Sequence, residues 1–358
     1  MMLKWSIFCL LLCLSGALVI KSRNQKNANL KVRPRKYVHR AENDIYHHPK
    51  QDYDLVTTSI YVGTPRQEVN MFVDMLTADL QVKVCPNQSP SSRDWPCFNP
   101  YKSSTFKKIN DQIASETFQG IDLTDLKYPN LTFVTHSTGY EGRLGISWPS
   151  LLKYPQDSFY PYIYCDGQEV WRSMEIVISK SGCVGSMVWG ALCKDTGYPT
   201  IFVPVTNLGL WQFALNGFTL GNLKETFTTQ AVLTTTSSYI GMPKKYLKKM
   251  IDTYNITWSN EFGAYTTACY AKLPDFELNL NGTTLKIKSE QYLYTELPLV
   301  DNSCVVNFED SQTNELGADW YFGLPLFTSY CVAVNWDNMN IGFSYNDWSD
   351  GDDSCHSN

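Results

Sequence analysis

Apolar and polar positions alternate with a period of two over short runs, and the runs are cut by Gly, Pro, Asn and Asp. Ile201-Phe-Val-Pro-Val205 and Phe276-Glu-Leu-Asn-Leu280 are two of them. Successive side chains of a strand point to opposite faces, so each run predicts a β-strand. The second run leads through Asn281-Gly282 into Leu285-Lys-Ile287. An Asn-Gly pair between two such runs predicts a β-hairpin. Helical spacing is rare. The best instance spans Pro243 to Asn255, with Pro near the first turn and Tyr246, Met250, Ile251 and Tyr254 on one face. The chain reads as mostly β.

A coarse internal repeat runs through this pattern. Each half holds one turn bearing Asp or Thr, followed later by an apolar-apolar-Gly segment. The first half has Val73-Asp74-Met-Leu-Thr77 and Arg143-Leu-Gly145-Ile; the second has Leu233-Thr234-Thr-Thr-Ser237 and Tyr321-Phe-Gly323.

The start of the chain reads as a secretory signal peptide over residues 1–17. Lys4 is basic, Ile7 to Leu14 form a short apolar core, and Ser15-Gly16-Ala17 offers a small-residue cleavage site. The apolar run is too short to span a bilayer, and no later stretch is apolar enough, so no membrane span is expected. Cys9 and Cys13 fall within that segment, which leaves nine of the eleven cysteines. An odd number in a secreted chain predicts disulfides and at least one unpaired or intermolecular thiol. Four Asn-x-Ser/Thr sequons predict glycosylation at Asn130, Asn255, Asn281 and, less favourably because Pro90 follows it, Asn87.

Charge is uneven. Residues 21–50 hold nine Lys/Arg against Glu42 and Asp44, and the whole chain is net −5. With Lys4 also set aside, the remainder carries −13. Residues 18–50 are therefore a basic segment beside an acidic body, either in intramolecular contact with it or a solvated linker. His47-His48 has no companion cluster with ligand spacing, so no metal is expected. Phosphate-binding glycine loops are missing, and basic-aromatic patches are missing outside the leading segment. Nucleotide cofactors and nucleic acid are accordingly not expected.

Several collinear motifs carry a family resemblance. Tyr61-Val-Gly-Thr-Pro-Arg-Gln-Glu68 followed by Met71-Phe-Val-Asp-Met-Leu-Thr-Ala-Asp-Leu80 resembles "IGTPPQ" and "FDTGSSNLWV" of the pepsin-like aspartic proteases. Ala231-Val-Leu-Thr-Thr-Thr-Ser-Ser-Tyr-Ile-Gly-Met-Pro243 resembles "AIVDTGTSLIGAP", with Thr234 at the aspartate's place. Tyr101 to Phe106, Glu141 to Gly145, Leu210 to Phe213, Leu273 to Leu278 and Trp320 to Gly323 resemble "SKSSTY", "DGILG", "YWQF", "LPDITF" and "WILGD". The resemblance covers roughly residues 51–345. It implies a bilobal β fold with a central cleft, an N-terminal lobe over 51–205, a C-terminal lobe over 206–345 and an acidic tail over 346–358. The basic segment 18–50 resembles the propeptide of pepsin-like zymogens, which implies contact with the acidic body. The family resemblance also implies disulfides Cys85–Cys97 and Cys269–Cys304. Cys165, Cys183, Cys193, Cys331 and Cys355 stay unassigned.

The family's chemistry needs two carboxylates around one water, one acting as base and one as acid. The resemblance gives Asp74 as the first and Thr234 in place of the second. A threonine hydroxyl neither loses its proton at working pH nor shares one with a carboxylate. The glycines of both turns are replaced, by Leu76 and Thr236. Bulky residues there predict that the two turns do not meet in the family geometry. Thr77 is placed to hydrogen-bond Asp74, with Ser237 as its counterpart. The span Lys107 to Gln119 lacks the flap's Tyr-Gly-x-Gly, and Gln81 stands for the Trp beneath it. The expected function is a secreted or endomembrane-luminal, monomeric, inactive protease relative that binds a peptide or protein in its cleft. A divergent active endopeptidase and a structural or storage glycoprotein are the alternatives.

Overall fold

A computed structural model describes residues 29–32, 56–85, 97–120, 127–136, 142–151, 164–165, 168–169, 172–180, 184–189, 191–295, 302–314 and 317–348. The expected signal peptide, the sequon at Asn87, and Cys183 and Cys355 lie outside them.

The chain is mostly β, as expected, with one large sheet and three small ones among the described residues. The first eight described strands are β1 (Asn29–Val32), β2 (Val56–Val62), β3 (Gln67–Asp74), β4 (Leu80–Lys83), β5 (Lys107–Lys108), β6 (Ile113–Gly120), β7 (Lys127–His136) and β8 (Gly142–Gly145). β2 and β3 form a hairpin, with Thr57↔Phe72 and Val62↔Gln67 at its ends. β8 then runs parallel to β3, placing Asp74 opposite Gly145. The second half repeats the device. Thr229–Leu233 runs parallel to Trp320–Phe322, with Leu233 opposite Phe322. Two strands joined in parallel need a long crossover, which explains why the turn and the Gly segment of each half lie far apart in sequence.

Strands from both ends of the chain knit the halves together. β1 lies between β2 and Val184–Trp189, and the latter pairs with Ser173–Ile178. Ser173–Ile178 pairs in turn with Tyr330–Asn335, which continues through Asn340–Tyr345 to Ile201–Asn207. Residues 29–32 of the basic leading segment are thus a strand of the body. An indole cluster sits beside this sheet. Trp211 lies 4.8 Å from Trp148 and 4.9 Å from Trp336 between ring centroids. Its Nε1 donates to the Ile146 carbonyl at 2.9 Å, tying the segment after β8 to the second half.

The predicted helix is Lys244–Tyr254, capped by Pro243 and ended by Asn255 in the left-handed region at φ 52°. Tyr246 and Met250 are buried, and Ile251 and Tyr254 are half-buried, so the expected face does point inward. The predicted hairpin pairs Phe276–Leu280 with Thr283–Ile287 through Asn281 and Gly282, both at positive φ. Asn255 and Asn281 are exposed, and Asn130 lies within β7.

Three disulfides join described residues. Cys85–Cys97 and Cys269–Cys304 are the two expected pairs. The third, Cys193–Cys331, spans 138 residues and ties the loop before Ile201–Asn207 to Tyr330–Asn335.

Candidate functional site at the junction of the two turns

Asp74 ends β3, and Thr234 follows the strand Thr229–Leu233; each is only 1% exposed. Both begin a turn stabilised in the same way. The Asp74 Oδ1 accepts from the Leu76 N–H at 2.8 Å, and the Thr234 Oγ1 accepts from the Thr236 N–H at 3.1 Å. A side-chain oxygen bonding the backbone two residues on is what holds such turns. Thr77 Oγ1 then accepts from the Asp79 N–H at 3.2 Å, and Ser237 Oγ from the Tyr239 N–H at 3.1 Å. Thr77 therefore serves its own turn. Among the described residues Thr77 makes no bond to Asp74.

Each turn is crossed closely by its Gly segment. The Gly145 N–H donates to the Asp79 carbonyl at 3.1 Å, and the Gly323 N–H to the Tyr239 carbonyl at 3.0 Å. A Cβ at Gly145 would lie 2.6 Å from the Ala78 carbonyl carbon, and one at Gly323 would overlap the Ser237 carbonyl oxygen. Only glycine admits such an approach. These are the glycines that the repeat in the sequence singled out.

The two turns meet, although bulkier residues stand where their glycines were expected. Thr235 bridges them: its Oγ1 donates to the Val73 carbonyl at 2.6 Å and accepts from the Met75 N–H at 3.2 Å. Its carbonyl accepts from the Val56 N–H at 3.3 Å. The residue after Thr234 thus grips the residues on both sides of Asp74. The reciprocal grip is missing, since the first turn has Met75 where the second has Thr235. Leu76 and Thr236 do not disrupt this contact because the bridging atoms belong to the residues before them.

The largest departure is Arg143, on β8. Its Nη1 lies 2.7 Å from the Asp74 Oδ2. The aspartate side chain is 2% exposed and the arginine side chain 49%. Both Asp74 oxygens are thereby engaged, one by a backbone N–H and one by a guanidinium. Opposite it, the Thr234 hydroxyl lies 3.0 Å from the Thr236 hydroxyl. Sequence reasoning overlooked both Arg143 and Thr235. The signal for Arg143 was a cation inside an otherwise apolar-apolar-Gly segment, one strand from a buried aspartate.

The expected flap region is a short hairpin. β5 pairs with β6 only through Lys107↔Ser115 and Lys108↔Ala114. Asn110 Oδ1 closes the tip by accepting from the Gln112 and Ile113 N–H groups. β6 then continues into its pairing with β7. Among the described residues, one group has metal-ligand proximity, Glu175 with Cys193 and Cys331. Its two sulfurs are joined to each other, which leaves one carboxylate and no usable donor set.

This doubled arrangement of turn and crossing strand has counterparts. A profile of the eukaryotic aspartyl protease family matches residues 117–346. The chain belongs to that family. The match begins after Asp74 and spans the second turn. Aspartic protease 17 of Caenorhabditis elegans is 23% identical over 342 residues, covering 86% of this chain and 87% of that protein. Pepsin A of Gallus gallus is 25% identical over 312 residues, covering 80% and 83%. Pregnancy-associated glycoprotein 2 of Bos taurus is 22% identical over 379 residues, covering 96% and 99%. The family's bilobal β fold accounts for the paired turns and the strands that join them.

Proposed function

We propose that this aspartyl protease relative is catalytically inactive and binds a peptide or protein segment in the cleft between its halves. The observation that carries this reading is the state of Asp74. Proteolysis by this family needs a carboxylate free to take a proton from water and a second to give one. Here the Asp74 Oδ2 is held by Arg143 and the Oδ1 by Leu76. The facing turn supplies Thr234, a hydroxyl without acid–base capacity near neutrality. A lone general acid or base is worth ~10²–10⁴ in rate, and groups that act as a unit cost up to ~10⁶ when one is lost. The β5–β6 hairpin in the expected flap region is short.

The same reading places the protein in the secretory pathway as a monomeric glycoprotein. Three disulfides suit an oxidising compartment, and the exposed sequons at Asn255 and Asn281 are open to modification. The relatives named as proteases supply the competing reading. An assay between pH 2 and 7 on an unfolded protein substrate, with pepsin as positive control, separates the two. We expect no turnover from the unmodified protein or from Thr234→Asp alone. Turnover by the unmodified protein that Asp74→Asn abolishes would overturn the proposal.

A further inference from the structure

A line of side chains crosses four strands beside Asp74. Register sets Phe72 of β3 against Arg143 of β8, Arg143 against Gln81 of β4, and Gln81 against Val134 of β7. Side chains paired in register project to the same face of a sheet, so these four form one row. Asp74 lies two residues beyond Phe72 and therefore on that face as well. Phe72, Gln81 and Val134 are half-buried and Arg143 is exposed, so the row is open to solvent while Asp74 beneath the facing turn is not.

The polar members of the row have capacity to spare. Among the described residues, the only contact of the Arg143 guanidinium is its Nη1 bond to Asp74. A guanidinium carries five N–H donors in a fixed fork, so four are uncommitted among the described residues. The Gln81 carboxamide likewise has no hydrogen-bond partner among the described residues. Because Asp74 is buried, its grip fixes the orientation of the arginine. A donor that is already oriented loses less conformational freedom when a ligand arrives. Phe72 and Val134 at the two ends of the row supply apolar contact.

We propose that Arg143 and Gln81 form an anion subsite that receives a carboxylate of the bound peptide, from either its C-terminus or an acidic side chain. This rests on the peptide-binding reading above. The planar fork of an arginine matches a carboxylate through two parallel N–H bonds, and such charge-assisted bonds are about twice as strong as neutral ones. The charge of Arg143 is already balanced on its buried side. Selectivity here comes from donor geometry at contact, and little of it from long-range attraction.

The test uses the full-length protein without mutation. Phenylglyoxal modifies accessible guanidinium groups, and mass spectrometry of peptides reads the rate at Arg143. Arg66, stacked over the Tyr61 ring, serves as the internal control. The probes are acetyl-Phe-Phe as the free acid, the same peptide as the amide, acetyl-Phe-Glu-Phe amide, and propionate. We expect the acids to bind about tenfold more tightly than the neutral amide and to slow modification of Arg143 accordingly, leaving Arg66 unchanged. Protection by the free acid alone assigns a C-terminal carboxylate; protection by the Glu peptide alone assigns a side chain. Equal protection by all peptides, the neutral amide included, keeps peptide binding and overturns the anion subsite. Protection by propionate with none by any peptide keeps the subsite and overturns the peptide reading. No protection by any probe overturns the subsite. Gln81→Leu leaves the ion pair with Asp74 in place and should reduce the preference for acid over amide.

Discussion

Replacing Arg143 with Leu isolates the energetics of the site. Asp74 is 2% exposed at its side chain and would keep only the Leu76 N–H as a partner for its carboxylate. Removing one partner of a fully buried ion pair costs about 3–5 kcal/mol, because the remaining charge is stranded. A pair at the surface is worth only about 0–1 kcal/mol. With the arginine 49% exposed, solvent screens part of the interaction, and about 2 kcal/mol is the reasoned expectation. Asp74→Asn/Arg143→Leu removes the stranded charge and should recover most of that loss. The coupling between the two positions should come out at about 1–2 kcal/mol in a double-mutant cycle. Urea unfolding with disulfides intact provides the assay, read from the midpoint of the first transition if the halves separate. An Arg143→Leu midpoint equal to the parent's, or an Asp74→Asn change that gives no relief, would refute the argument that Arg143 neutralises a buried carboxylate.

Three further outcomes are expected. Thr235→Val should leave the Val73 carbonyl and Met75 N–H unmet inside the protein at a cost of about 1–3 kcal/mol, measured by urea unfolding, and a loss under ~0.5 kcal/mol would show that the turns do not depend on this bridge. Peptide mapping without reduction should recover Cys85–Cys97, Cys269–Cys304 and Cys193–Cys331; replacing the last pair with serines should destabilise most, up to about 4–5 kcal/mol, because it closes the longest loop. Burial raises the hydroxyls of Tyr292 and Tyr330 above the usual tyrosine range, with the nearby Asp275 and Tyr254 adding to it at Tyr292. A folded-state value above the unfolded one adds stability that is intact below about pH 10 and lost as pH rises further. Ultraviolet titration should therefore find these two phenols ionising only together with alkaline unfolding, and ionisation of all 22 tyrosines in a protein still folded by circular dichroism would contradict it.

The sequence disclosed the scaffold better than the site, for a physical reason. Backbone demands leave local marks. Gly145 and Gly323 are forced by the close passage of a neighbouring backbone, and Asn281-Gly282 by positive φ. The apolar alternation of Phe276–Leu280 is forced by burial of one face. The Arg143–Asp74 pair joins residues 69 apart in sequence, and neither residue alone announces the other. Thr235 was hidden differently. The lost glycines predicted a departure from the family geometry, whereas the bond that joins the turns uses the residue ahead of the lost glycine. Cys193 and Cys331 could not be matched from spacing because their loop crosses the whole second half.

The pairing of Asp74 with Arg143 suits a junction whose other turn carries Thr234. Two carboxylates sharing a proton carry one negative charge between them, and each supplies the other with a hydrogen-bonding partner. Once the second turn bears a threonine, Asp74 becomes a single buried acid without its companion. Burial of an unpaired carboxylate is costly, so another partner must take up its outer oxygen. Arg143 does so from β8, the strand that crosses the turn in register with β3. The same arginine would be a poor neighbour in a working pair. It would occupy the Asp74 oxygen that a working pair needs open to its water. Restoring the second aspartate while Arg143 remains should therefore add a carboxylate without freeing the first one. Recovery of any hydrolysis should require Arg143→Ile alongside Thr234→Asp, and still be limited by the short β5–β6 hairpin. Other bonds of the junction do not involve either residue. They run through Thr77 and Ser237 within the turns and through Thr235 between them. The junction can thus hold together through groups other than a second carboxylate.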